Sequence, residues 1–291
     1  YMYSNEGNIM LIIDLNQVLL SNLMQQLGSD PRKKVDEGLI RHMVLNSLRS
    51  YTKQFKNKYG DVIIACDSKK YWRRDVFPFY KSNRKKDREK SDFDWNLIFE
   101  TLNKIRDELK QNFPYRVLEV EGAEADDIIG TLVPRHAPHE NILILSSDGD
   151  FLQLQKWGSN VKQYNPAQKK FVVSEDPIKE LKMKIINGDS GDGIPNILSA
   201  SDTFVTGQRQ KRMTEQKMTK YLNEDFTNYD TVANTGFARN QVLIDLTHIP
   251  DDIKTKIINT YEETKPAPKG KLLNYFITYK LKNLMDVIGE F

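Results

Sequence analysis

Ile9-Met10-Leu11-Ile12-Ile13-Asp14 is a short apolar run closed by an acid, and the chain repeats that design. Val62 to Cys66 is a second run and ends at Asp67; Ile142 to Leu145 stops just before Asp148; Val117 to Val120 precedes Glu124. Runs this short and this rich in β-branched residues read as buried strands. Amphipathic stretches such as Leu39–Phe55 and Trp95–Leu109 lie between them and read as helices. The alternation argues for βαβ units. The expected fold is therefore α/β: a central, mostly parallel sheet flanked by helices. Val161–Tyr164 and Lys170–Val173 read as a hairpin around Asn165-Pro166.

From about Pro177 helical patterns dominate, with Gln241–Leu246 the one further strand expected. This predicts an α/β domain over residues 1–185 and a smaller helical C-terminal domain over 186–291. Lys265-Pro266-Ala267-Pro268-Lys269-Gly270 marks a second break. The chain has 291 residues, and its 39% hydrophobic content is enough for a sizeable core. A single cysteine, Cys66, excludes an internal disulfide framework and fits a reducing, cytoplasmic compartment. No apolar stretch approaches the roughly 18–20 residues of a membrane span, and the start does not read as a signal peptide.

In open α/β sheets, ligands bind beyond the carboxyl ends of the strands. Here those ends carry acids repeatedly. Asp14 and Asp67 close two strands. Glu124, Asp126 and Asp127 open a helix, Asp148 and Asp150 follow the fourth strand, and Asp189 and Asp192 stand at the domain boundary. Each alone reads equally as a helix cap or a turn residue. Together, five acid sites at successive strand-to-helix junctions point to one crevice. Nine carboxylates there would repel one another without cations. An oxygen-only donor set without His or Cys suits two or more Mg²⁺ ions, with Mn²⁺ able to substitute.

Lys69 to Lys90 holds ten basic residues against three acidic ones, a local charge of +7 in a chain whose total is +3. Tyr71, Trp72, Phe77, Phe79 and Tyr80 are interleaved with them. That mixture suits a sugar-phosphate backbone and unstacked bases, and makes Arg73, Arg74, Tyr80 and Arg88 candidate nucleic-acid contacts. If Tyr80 to Lys90 is helical, Lys81, Arg84 and Arg88 share one face. A solvated charged helix would give the same composition, but this run directly follows Asp67 and is tethered beside the acidic crevice.

These motifs together resemble the 5′-nuclease family: flap endonucleases and the 5′-exonuclease domains of bacterial DNA polymerases. The resemblance rests on Leu11-Ile12-Ile13-Asp14, Tyr71-Trp72-Arg73-Arg74-Asp75, Tyr80-Lys81-Ser82-Asn83-Arg84, Ser146-Ser147-Asp148-Gly149-Asp150-Phe151 and Gly188-Asp189. Val242-Leu243-Ile244-Asp245 and Pro268-Lys269-Gly270-Lys271 extend it along nearly the whole chain. It implies that Asp14, Asp67, Glu124, Asp126, Asp148 and Asp150 surround the metals. Asp127, Asp189 and Asp192 would be further, partly water-mediated ligands. It implies a basic helical arch at about residues 69–95, whose Lys81 and Arg84 act catalytically over the scissile phosphate. The region after Asp189 would be a helix-turn-helix variant gripping duplex DNA. One departure is plain. The family's Gly-x-Gly hairpin, which often binds a monovalent cation, is replaced by Ile194-Pro195-Asn196-Ile197-Leu198-Ser199-Ala200. Phosphate contacts would then fall to Arg209, Lys211 and Arg212, and a K⁺ site is not expected.

The activity implied is 5′ to 3′ exonuclease and flap endonuclease hydrolysis, ribonuclease H-type cleavage of RNA–DNA hybrids included, with a role in removing primers during lagging-strand replication. The implied partners are branched or nicked duplex DNA, RNA–DNA hybrid, a single-strand-binding protein and a sliding clamp, for a protein working as a monomer away from membranes. Two other classes compete. An aspartyl phosphatase would use Asp14, but that chemistry wants Asp-x-Asp-x-Thr where this chain reads Asp14-Leu15-Asn16-Gln17-Val18. A non-catalytic nucleic-acid-binding module would have lost ligands, and no acid site is vacant.

Overall fold

Residues 9–28, 35–55 and 60–291 are described in a computed structural model; the signal-peptide reading of the first residues falls outside them. β1 (Ile9–Asp14) is buried from Met10 onward on both of its faces. Leu11 and Ile13 enter one apolar cluster, Met10 and Ile12 another. Helices must therefore cover both faces of the sheet, as the run of unbroken apolar residues requires. Helices α1 (Leu15–Leu27), α2 (Glu37–Phe55), α3 (Arg73–Val76), α4 (Ser82–Glu89), α5 (Trp95–Asn112), α6 (Ala125–His136), α7 (Pro177–Asn187), α8 (Glu215–Asn223), α9 (Thr231–Ile244), α10 (Asp251–Glu263), α11 (Gly270–Thr278) and α12 (Lys282–Met285) are interspersed with β2 (Asp61–Cys66), β3 (Arg116–Glu119), β4 (Asn141–Leu145), β5 (Val161–Asn165) and β6 (Lys170–Val172).

The six strands run in the order β3-β2-β1-β4-β5-β6. All pair in parallel except β6, which is antiparallel to β5. Ile13 of β1 stands level with Ile64 of β2 and Leu145 of β4. The order reverses between β1 and β4, the switch point where such sheets leave a crevice. Residues of α1, α2, α5 and α11 cover one face; α6, α10 and the 3₁₀ segment Gly149–Trp157 cover the other. A third cluster joins α7, α8 and α9 to Phe77 and Tyr80 at the root of the basic segment. No described helix is long and apolar enough to cross a membrane.

One element differs from expectation. Gln241–Leu246 is no strand: Gln241 to Ile244 completes α9, and Leu246–His248 is a 3₁₀ turn. Asp230 caps α9 by accepting the Ala233 amide, and Phe237, Asn240, Leu243 and Ile244 are buried at helical spacing. Val242-Leu243-Ile244 alone is too short a run for its period to separate helix from strand.

Candidate active site

The carboxyl ends of β1, β2 and β4 bring Asp14, Asp67 and Asp148 together, with Asp126 from the first turn of α6. Asp14 stands at the N-cap of α1 yet makes no side-chain cap bond; it accepts instead from Ser146 Oγ at 3.0 Å. Asp67 accepts from the Ala125 amide at 2.8 Å and from Asn16 Nδ2 at 3.2 Å. Asp148 accepts the Asp150 amide at 2.9 Å. Oxygens of Asp126, Asp148 and Asp150 all lie within 4.8 Å of one another.

Basic side chains divide the nine acids into two groups. Arg73 pairs with Glu124 at 2.9 Å and with Asp127 at 2.8 Å. Lys81 pairs with Glu124 and lies 3.8 Å from Asp192, Arg84 pairs with Asp192, and Lys184 pairs with Asp150 and lies 3.3 Å from Asp189. Asp14, Asp67, Asp126 and Asp148 form no ion pair among the described residues. The cost of crowding shows in the proton affinity of Asp14, Asp126 and Asp148. Burial, with Asp67 and Asp148 nearby, pushes the Asp14 carboxyl up to about 8. Burial and the charges of Asp148 and Glu124 raise Asp126 well above the carboxylate range. Burial also raises Asp148, against the pull of Lys184. Asp192 behaves oppositely: burial works to raise it, but Lys81 and Arg84 hold it below its ordinary value.

Three expected roles need correction. Arg73 is only 2% exposed, donates to the Leu243 carbonyl at 2.9 Å, and is committed to Glu124 and Asp127; it cannot reach nucleic acid. Tyr80 is equally buried, its hydroxyl donating toward Glu124 and Asp192, so it offers no face for a base. Asp127 spends one oxygen on Arg73 and the other on the Glu124 amide at 2.8 Å, leaving none aimed at the acid cluster. Trp72 and Phe77 are also core residues. The aromatic interleaving of the basic segment thus anchors its root in the core, Trp72 in the cluster on one sheet face and Phe77 and Tyr80 in the helical cluster.

What remains accessible forms a cavity of about 310 Å³ beside the acids. Arg74, Lys81, Arg84 and Arg88 line it, together with Tyr71 and Phe99. Arg74 lies over the Tyr71 ring and Arg88 over Phe99, 4.9 and 4.6 Å from the centroids. α4 is fixed to the acidic turn by the Lys81 amide donating to the Asp192 carbonyl at 2.7 Å and by Asn83 Nδ2 donating to the Ser190 carbonyl. Further away, Arg209, Lys211 and Arg212 are exposed on the loop before α8.

Two cations that bear on this region escaped the sequence reading. One is Lys184, one turn before the end of α7. The other is Arg239, which donates to the carbonyls of Pro195, Asn196 and Ser199 and to Ser201 Oγ. It holds in place the loop that lacks the glycine pair. Burial without an acidic partner lowers its pKa to about 10.

The sequence matches the model of the 5′-3′ exonuclease N-terminal resolvase-like domain over residues 10–183 and that of the T4 RNase H C-terminal domain over residues 177–291. It is 36% identical over 292 residues to ribonuclease H of enterobacteria phage T4, spanning 96% of this chain and 95% of that protein. It is 30% identical over 161 residues to a 5′-3′ exonuclease of Buchnera aphidicola, spanning 53% of this chain and 54% of that one. Among solved structures it is similar to a bacteriophage T5 flap endonuclease crystallised with DNA and metal ions, at a TM-score of 0.61 and 18% identity, covering 87% of this chain and 99% of that one. At that identity the likeness is one of fold.

Proposed function

The chain belongs to the 5′-3′ exonuclease family, and from that membership we propose a two-metal-ion 5′-nuclease that cuts 5′ flaps, nicked duplex DNA and RNA–DNA hybrids. The observation that carries this reading is the group of four carboxylates, Asp14, Asp67, Asp126 and Asp148, none of which forms an ion pair among the described residues, three of them held above the ordinary carboxylate pKa even with Lys81 and Lys184 nearby. Like charges held together in a buried cleft destabilise the fold unless a cation joins them. The donors fit Mg²⁺ or Mn²⁺, being oxygens alone, with no His or Cys at the cluster. When bound, divalent ions supply Lewis acidity to the phosphodiester and an activated water.

The protein's own groups hold and orient the substrate. Lys81 and Arg84 sit where the basic segment meets the acids and would exchange Glu124 and Asp192 for the scissile phosphate, stabilising the charge that builds on it. Arg74 and Arg88, with Tyr71 and Phe99, suit an unpaired strand entering the cavity. Arg209, Lys211 and Arg212 suit the phosphates of a duplex. The phage T4 relative is a ribonuclease H, and on this reading the chain removes RNA primers from lagging-strand fragments in an infected bacterial cell. The same reading names a single-strand-binding protein and a sliding clamp as partners of a monomer.

The test is product mapping on a 5′-labelled flap and on an RNA–DNA hybrid, with Mg²⁺ and then with excess chelator. Cleavage near the 5′ end, lost with the chelator and lost by orders of magnitude in Asp148→Asn or Asp150→Asn, is expected, while both variants still bind DNA. Metal-independent cleavage, or near-normal turnover in both variants at saturating substrate, overturns the proposal.

A further inference from the structure

Lys184 reaches into the acid cluster from outside the sheet. Its ammonium pairs with Asp150, lies 3.3 Å from Asp189, and acts on Asp148. Its side chain keeps 28% exposure, so it can withdraw toward solvent. Its backbone is fixed. The Gly188 amide closes the last turn of α7 on the Lys184 carbonyl at 2.8 Å. Gly188 itself has φ +70°, and a Cβ there would lie 2.4 Å from the Ile194 carbonyl oxygen. A rigid helix end therefore presents a flexible cation to three carboxylates drawn from two parts of the chain.

We propose that Lys184 is a tethered cation that competes with a divalent ion for the Asp148–Asp150–Asp189 pocket and so sets the pocket's affinity for metal. The inference rests on the metal reading above. Without metal, the ammonium relieves repulsion among the three acids. With metal, it withdraws, because one pocket cannot satisfy both cations. A buried or half-buried unit charge within about 4 Å changes interaction energies by several kcal/mol at an effective dielectric of about 20. After discounting for the ammonium's exposure, its loss should tighten metal binding in this pocket by about tenfold or more.

The experiment is a Mn²⁺ titration of the DNA-free protein by calorimetry, paired with thermal melts in chelator and in Mn²⁺. Wild type is compared with Lys184→Met, Lys184→Gln and Lys184→Arg, and with Lys179→Met as an exposed lysine on the same helix. The neutral variants at position 184 should bind Mn²⁺ at least about tenfold more tightly and melt at a lower temperature in chelator, with a larger upward shift on adding Mn²⁺. The Lys184→Arg and Lys179→Met proteins should stay near wild type. Unchanged or weaker Mn²⁺ binding in both neutral variants at position 184, folded by circular dichroism, overturns the role of Lys184 and leaves the metal site standing. Wild type that binds no Mn²⁺, or binds it equally after Asp148→Asn, overturns the metal reading itself.

Discussion

Arg73 Nη1 sits 2.8 Å from Asp127 Oδ1, and neither side chain reaches solvent. The pair ties the root of the basic segment to the first turn of α6. Removing one partner of a buried pair leaves the other's charge uncompensated, which costs about 3–5 kcal/mol. Arg73→Ala should therefore lose about that much stability in urea denaturation, a loss far beyond that of exposed Arg74→Ala. An Arg73→Ala protein as stable as wild type but weak in DNA binding would restore the surface role that its burial denies.

The crowding of Asp14 has a pH signature. Its folded-state pKa of about 8 exceeds its ordinary 3.8, so the native protein holds a proton that the unfolded chain releases. Stability is then highest below about pH 4 as far as this group is concerned, and falls as pH rises toward 8. In chelator, the melting temperature of wild type should drop between pH 5 and pH 8 by more than that of Asp14→Asn. Added Mg²⁺ should remove most of the difference. Parallel pH profiles for the two proteins would show that Asp14 is not strained in the metal-free state.

Much of this was legible in the sequence for identifiable reasons. Strands buried on both faces announce themselves as unbroken apolar runs, and acids at their carboxyl ends converge because parallel topology brings those ends together. Which acids are already neutralised was not legible. Arg73 and Glu124 are 51 positions apart, and Lys184 meets Asp150 only because α7 packs beside the 3₁₀ segment. Tyr80 shows the limit most clearly. An aromatic among arginines and lysines has the same composition whether it stacks on a base or seals a helical cluster, and here it seals the cluster.

Gly236 lies inside α9, where an alanine would ordinarily add about 0.5–1 kcal/mol. Here a Cβ would stand 2.2 Å from the Ile197 carbonyl oxygen and 2.6 Å from its Cα. Backbone cannot yield as a side-chain tip does, so overpacking, at about 1–3 kcal/mol, should win. Gly236→Ala should be less stable than wild type in urea and should bind nicked duplex more weakly, since the displaced loop is the one Arg239 holds. Alanine that stabilises the protein would mean the loop moves aside freely and Arg239 does not fix it.

The two sets of basic residues should separate in kinetics. Lys81 joins Glu124 and lies near Asp192 at the acid cluster. Arg209, Lys211 and Arg212 are exposed on a loop that lies beyond Asp192 in the chain. Lys81→Ala should therefore lower the single-turnover cleavage rate far more than it lowers affinity. Neutralising the other three together should weaken binding and flatten its salt dependence by up to about 0.9 log unit for each phosphate no longer neutralised, with cleavage of prebound substrate nearly unchanged. If all four were only part of a general positive field, both changes would produce small, similar losses of affinity and no selective loss of rate. Single-turnover rates and salt-dependent affinities for the two variants distinguish these outcomes. A Lys81→Ala effect confined to affinity, or an unchanged salt slope in the triple variant, would refute the division of labour.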